Sequence, residues 1–272
     1  METRWGVATD RGDREVNEDA ALAEPPVFLV ADGMGGHTHG AMASRAAVDA
    51  FRDLAARARA HPDPLTPADV EAAVAAAAEA IWAAMTGADA LTDDPHERSA
   101  AAGSVPGPDA VAGTTVSGAV LSTADGAPAW LVLNVGDSRV YRCDGGRLTQ
   151  LTVDHSLVQE MVDAGTLPPE EARHHPRRNV ITRAVGTAAP GPVDLWTVPV
   201  RPEDRLLLCT DGLLELADAE IAEVLTAVTE PKEAARALVD RAVAAGAEDN
   251  VTVVVVDALG AGAAGADYDG GP

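Results

Sequence analysis

The sequence predicts an α+β protein built on antiparallel sheets, and three observations carry that expectation. Short β-branched apolar runs recur along the chain, two long alanine-rich stretches have helical spacing, and the strand-type runs between 115 and 150 follow one another directly. Turns such as Asp144-Gly145-Gly146 separate those runs. A parallel doubly wound sheet would place a helix between successive strands, which this order denies.

The elements follow in order. Residues 27–31 are five apolar residues, too short for a helix, and read as a buried strand. Residues 41–60 and 68–85 read as helices, the second opened by Thr66-Pro67-Ala68-Asp69, an N-cap followed by proline at the first helical position. Strands are expected at 116–121 and 130–135, then short helices at 156–164 and 169–173. A strand at 205–209, helices at 218–228 and 232–245, and a strand at 251–256 complete the set. Aromatic residues are only 3% of the chain, so the core has to be built mainly from Ala, Val and Leu. One domain is expected over 1–257. Residues 86–112, rich in Gly, Ala, Pro and Asp, and the Gly/Ala-rich tail 258–272 read as flexible segments outside it.

Composition removes several functions. Against 20 basic residues stand 43 acidic ones, a net charge of -23 that repels nucleic acids and anionic membranes and attracts cations. No apolar run approaches the roughly 18 residues of a membrane span, and the first residues lack a secretory apolar region. Cys143 and Cys209 lie in or beside apolar runs and read as buried thiols of a cytoplasmic protein. Lys232, the single lysine, lacks a GxxxxGK[ST] context, which removes the P-loop, the kinase lysine and the lysine Schiff base. In Gly33-Met34-Gly35-Gly36-His37-Thr38, Thr38 stands where a dinucleotide fingerprint needs glycine.

The chemistry lies at the strand ends. Residues 27–31 deliver Asp32-Gly33, 130–135 deliver Gly136-Asp137, 206–210 deliver Asp211-Gly212, and Asp249-Asn250 precedes 251–256. In antiparallel sheets the C-terminal ends of some strands lie beside the start of another, so Asp32, Asp137, Asp211 and Asp249 can converge. Each Asp-Gly alone is an ordinary strand-to-turn exit; the conjunction is what points to a site. Gathered carboxylates repel one another unless cations join them, and an oxygen-only donor set suits Mg²⁺ or Mn²⁺ rather than Zn²⁺.

Eight short blocks stand in order from about residue 4 to residue 256: Arg14-Glu15-Val16-Asn17-Glu18-Asp19; Asp32-Gly33-Met34-Gly35-Gly36-His37; Gly113-Thr114-Thr115; Gly136-Asp137-Ser138-Arg139; Thr152-Val153-Asp154-His155-Ser156; Arg183-Ala184-Val185-Gly186; Asp211-Gly212; and Glu248-Asp249-Asn250-Val251-Thr252. Together they resemble the PPM-type (type 2C) serine/threonine protein phosphatases, in particular their bacterial branch. The resemblance implies a four-layer αββα sandwich of two antiparallel sheets flanked by helices. It implies two Mn²⁺ or Mg²⁺ ions and a third, weaker one. Asp32 would bridge the first two ions, the Gly33 carbonyl would join the first, and Asp211 and Asp249 would complete the second. Asp137 would join Asp211 at the third, and Glu18 and Asp19 would act through bound water. Arg14 would clamp the substrate phosphate, and residues 155–185 would form a flap beside the site.

The same resemblance implies hydrolysis of phosphoserine and phosphothreonine in proteins, with serine/threonine kinases or their targets as the phosphoproteins and a monomer as the working unit. Some relatives carry histidine where this chain has Met34, so the proton donor to the leaving alcohol has no named side chain here. His37 and His39 read as loop or helix-start residues, Arg139 and Arg183 as structural partners of nearby carboxylates, Thr114 and Thr115 as a strand start, and His174 and His175 as surface residues. A second reading of the same fold is a catalytically weak phosphoprotein-binding module. Such a module could lose its aspartates at little structural cost, whereas Arg14 and all four strand-end aspartates are present.

Overall fold

A computed structural model describes residues 1–35, 37–61, 63–86, 112–187, 191–201 and 203–259. Nearly all of the 86–112 segment and of the 258–272 tail lies outside the described residues.

Ten strands form two five-stranded sheets, each antiparallel throughout. In one, β1 (Glu2–Asp10), β12 (Val251–Leu259), β11 (Arg205–Cys209), β8 (Arg139–Asp144) and β9 (Arg147–Gln150) lie side by side in that order. In the other the order is β10 (Asp194–Pro199), β7 (Ala127–Val135), β6 (Val116–Ala124), β3 (Val27–Ala31) and β2 (Ala20–Glu24). The two-residue strands β4 (Gly33–Met34) and β5 (Gly113–Thr114) pair separately.

Side-chain alternation divides the core into three layers. Leu206, Leu208, Val254 and Val256 point between the sheets, where they meet Phe28, Val30, Trp130 and Val132. Their strand neighbours Leu207, Cys209, Val253 and Val255 face the other way, against α5 (Asp218–Ala227) and α6 (Pro231–Ala244). On the far side α1 (His37–Ala60) and α2 (Pro67–Thr86) cover the second sheet through Ala43, Ala47, Phe51, Ala77 and Ile81. A strand buried on both faces needs apolar residues at every position, which is why these strands read as continuous runs. The result is the αββα sandwich, with few aromatics and with alanine at the helix seam, as the composition requires.

The α2 start is as expected: Asp69 Oδ2 accepts from the Thr66 backbone N–H at 2.9 Å and from its hydroxyl at 2.6 Å. Helix α1 begins at His37, four residues before the expected 41. Short helices α3 (Leu157–Asp163) and α4 (Pro169–Ala172) occupy the segment between β9 and β10.

Candidate metal centre

Strand register brings the ends of both sheets to one end of the sandwich. Val30 pairs with Ser117 and Val116 with Val135, so the exits of β3 and β7 flank the start of β6. In the other sheet Cys209 pairs with both Val253 and Arg139, and Asp10 with Val251. Asp32, Asp137, Asp211 and Asp249 therefore leave their strands at the same rim, as expected from strand direction alone. With Glu18, Gly33 and Arg14 they line a cavity of ≈ 370 Å³.

Beneath the carboxylates runs a layer of polar groups that the sequence reading took only as a strand start or as motif letters. The Asp32 backbone N–H donates to Thr115 Oγ1 at 2.9 Å, and the Asp32 carbonyl accepts from the Thr115 N–H and the Thr114 hydroxyl, each at 2.9 Å. Thr115 Oγ1 lies 2.7 Å from Ser138 Oγ, so the backbones beside Asp32 and Asp137 share one hydroxyl pair. Behind them Asn134 Nδ2 donates to the carbonyls of Gly136 and Val153. Gly33 is confined by Gly40 in the first turn of α1: a Cβ on Gly33 would sit 2.1 Å from the Gly40 carbonyl oxygen.

On the opposite wall Asn250 holds the loop that carries Arg14, Glu18 and Asp19. Its Nδ2 donates to the Arg11 and Val16 carbonyls at 2.9 and 3.1 Å, and its Oδ1 accepts from the Glu18 N–H at 2.7 Å. Asp19 Oδ2 accepts from the Thr210 hydroxyl at 2.9 Å, one residue before Asp211.

The electrostatics are those of crowded, dehydrated carboxylates. Asp32 is pushed well above the usual carboxylate range, first by burial and then by the charges of Asp19, Asp211, Asp137 and Asp249. Asp19 rises to about 7, with burial as the main cause, the Thr252 and Thr210 hydroxyls opposing, and Asp211 and Asp249 adding to it. Asp211 rises to about 6 through burial and Asp249, with Arg14 and Arg139 pulling the other way. Asp137 is raised by burial, Asp211 and Asp154.

These residues fit a hard cation. Glu18 Oε1, Asp19 Oδ1 and Asp211 Oδ1 are buried without a hydrogen-bond partner, and such an oxygen costs about 1–3 kcal/mol or more unless something positive meets it. Among the described residues no three His, Cys, Asp or Glu side chains form a ready cage for a single ion. Magnesium-like ions keep several waters and take one or two carboxylates each, so carboxylates spread around a cavity suit them better than a tight cage.

The remaining expected residues fall as follows. Arg14 stands at the mouth and donates to Asp249 Oδ2 at 2.7 Å. Arg139 grips Asp154 with three hydrogen bonds of 2.6–3.0 Å, and Arg183 donates to Asp194 at 3.0 Å; both are structural partners of carboxylates, as read. Cys143 and Cys209 are buried free thiols, and burial holds the Cys209 thiol up at about 12, away from nucleophilic use. Among the described residues no histidine lines the 370 Å³ cavity, and Met34 does. His174 lines a second, larger groove of ≈ 610 Å³ that shares Arg14, Asp137, Asp211 and Asp249 with the first. That groove runs between α3 and α4 on one side and the 3₁₀ turn Asp211–Glu215 on the other. Arg173 donates across it to the Leu214 and Leu216 carbonyls.

An αββα sandwich whose strand ends collect oxygen-only donors defines a class of metal-dependent hydrolase, and comparison with known proteins gives the family. Residues 10–259 match the model of the protein phosphatase 2C family, and the chain belongs to that family. The serine/threonine phosphatase stp of Listeria innocua is 34% identical over 260 residues, 92% of this chain and 93% of that protein. The serine/threonine protein phosphatase PstP of Mycobacterium tuberculosis is 36% identical across 98% of this chain, which spans 46% of its length. Among solved structures, the PstP catalytic domain in complex with two manganese ions superposes with a TM-score of 0.75 at 32% identity, covering 95% of this chain and 99% of that one.

Proposed function

We propose that this chain hydrolyses phosphoserine and phosphothreonine in proteins with Mn²⁺ or Mg²⁺, opposing serine/threonine kinases. The observation that carries the reading is the set of buried, partnerless carboxylate oxygens of Glu18 and Asp211, both lining one cavity with Arg14 at its mouth, with that of Asp19 beside Glu18 in sequence. The manganese-bound PstP domain supports it as a relative of the same fold.

Asp32, Asp211 and Asp249 would hold two ions, with the Gly33 carbonyl on the first; Asp137 would serve a third, and Glu18 and Asp19 would act through water. When bound, such ions lower the pKa of water and offset phosphoryl charge. The chain's own residues supply the rest. Thr114 and Thr115 fix Asp32 by its backbone, Asn250 fixes the Arg14–Asp19 loop, and the Arg14 guanidinium presents a planar fork to phosphoryl oxygens. Met34 offers no proton to the leaving alcohol. Residues 155–185, with α3 and α4, form the wall along which a substrate protein reaches the cavity. Two buried, unpaired thiols support a reducing, cytoplasmic setting; among the described residues no helix is long and apolar enough to cross a membrane.

The test is phosphate release from a chromogenic ester and a phosphothreonine peptide. Release should require Mn²⁺ or Mg²⁺, vanish with EDTA and fall by at least about a thousand-fold in Asp32→Ala and Asp211→Ala. Undiminished release under all three treatments would overturn the metal reading.

A further inference from the structure

The mechanism above leaves one cluster unused, a buried histidine with a partly exposed ion pair beside it. His155 is 5% exposed, lies at the root of the 155–185 segment and touches no catalytic carboxylate. Its Nδ1 accepts from the Gly136 backbone N–H at 3.1 Å. An imidazole nitrogen that accepts carries no proton, so the proton sits on Nε2 and is donated to Asp194 Oδ2 at 3.0 Å. Arg183 completes the group: its Nη1 donates to the other Asp194 oxygen at 3.0 Å and lies 3.2 Å from His155 Nε2. Three separate segments thus converge on the peptide that precedes Asp137.

That peptide has no freedom left. The Gly136 carbonyl accepts from the His155 N–H at 2.8 Å and from Asn134 Nδ2 at 3.0 Å, while its N–H meets His155 Nδ1. Gly136 has φ +111°, and a Cβ there would lie 2.5 Å from Thr115 Cγ2, so no other residue could take over the conformation. On the far side of Asp137, Ser138 is bound to Thr115, which holds Asp32. Among the described residues no side chain of another residue orients the Asp137 carboxylate by a hydrogen bond; it meets its own backbone N–H. Its direction is set through the backbone on both sides, and His155 holds the Gly136 side. The root of the 155–185 segment is tied to the same point, since the Thr182 N–H donates to the His155 carbonyl at 2.8 Å and Leu157 to Val180 at 2.8 Å.

We infer that His155 is a positioning residue for Asp137, oriented by Asp194 and acting through the Gly136 peptide, so that it sets the affinity of the ion Asp137 holds. The inference rests on the reading of Asp137 as a ligand of the third, weaker ion. Groups one step behind a ligand commonly change metal affinity by about 10–100-fold when removed.

The experiment is Mn²⁺ titration of the EDTA-stripped, dialysed full chain, following free Mn²⁺ by electron paramagnetic resonance. Asp137→Asn tests the underlying reading and should abolish the weakest binding step alone. His155→Gln keeps a group near Asp194 but removes the acceptor at the Nδ1 position; it should weaken that same step about ten-fold or more and leave the tighter steps within about two-fold. His155→Asn restores an acceptor at the Nδ1 position and should recover the step to within about three-fold of the parent. Should His155→Gln fail to fold, Asp194→Asn, at a half-exposed position, should weaken the same step about three-fold. If Asp137→Asn has no effect, the reading of Asp137 fails and the inference with it. If Asp137→Asn abolishes the step while His155→Gln or Asp194→Asn leaves it intact, the inference alone is overturned. Equal weakening of every step, without recovery in His155→Asn, would show a general structural role and overturn it too.

Discussion

Arg14 and Asp249 are joined across 2.7 Å at the mouth of the cavity, so the residue read as the phosphate clamp is bonded to one read as a metal ligand. The pair is well exposed, with 58% and 35% of the two side chains accessible, and so it contributes little to stability. Its importance is positional. A cation held by Asp249 would compete with Arg14 for that carboxylate, which would leave the guanidinium available to phosphate.

Arg14→Ala should therefore act on substrate capture. With saturating Mn²⁺, KM for a phosphothreonine peptide should rise about ten-fold or more, with a smaller fall in kcat, which corresponds to about 1.4 kcal/mol or more of lost binding. Steady-state kinetics at several peptide concentrations measure it. An unchanged KM would remove Arg14 from the substrate site.

Stability of the metal-free protein should depend on pH with a definite sign. Asp19 at about 7 and Asp211 at about 6 stand above the ordinary carboxylate value near 3.9 that they regain on unfolding. Between those limits the folded state holds protons that the unfolded state has released, so stability falls as pH rises from about 4 to about 7. Thermal melts in EDTA should show this fall, reduced in Asp211→Asn. Added Mn²⁺ should raise Tm more at about pH 7 than at about pH 5, because the ion needs ionised ligands. A rising or flat Tm in EDTA across that window would contradict the burial of these carboxylates.

Asn250→Ala should damage activity through the loop it holds. Three part-buried hydrogen bonds, to Arg11, Val16 and Glu18, are lost together, at about 0.5–1.5 kcal/mol each. Denaturant unfolding should register that loss, and kcat/KM should fall at least about ten-fold as Arg14, Glu18 and Asp19 lose register. Wild-type kinetics in this variant would show that the loop is held by other means.

The sequence was most legible where burial dictates composition. Residues 27–31 and 205–209 coincide with β3 and β11 to the residue because both faces of those strands are covered and every position is apolar. The strands β1, β2 and β10 were not read. Each lies at a sheet edge with a mixed burial pattern, and β1 follows β12 in register from Glu2↔Leu259 to Asp10↔Val251, a partnership that no local pattern encodes. The aspartates were legible because each stands at one end of an apolar run, Asp32, Asp137 and Asp211 after it and Asp249 before it. Thr114, Thr115, Ser138 and Asn250 appeared only as strand starts or motif letters, and Asn134 only as a position within the expected strand 130–135, since what such residues bind lies up to 239 residues away. Gly40 carried a usable signal as a glycine in the first turn of α1, where Gly33 packs against its carbonyl.

The measurement that bears most directly on the whole account is anomalous diffraction at the manganese edge from crystals grown with Mn²⁺. Two strong peaks should lie in the cavity on either side of Asp32, one also reached by the Gly33 carbonyl and the other by Asp211 and Asp249. A cavity without peaks in an active, Mn²⁺-saturated crystal, or peaks bound away from Asp32, would contradict the assignment on which the proposed chemistry depends.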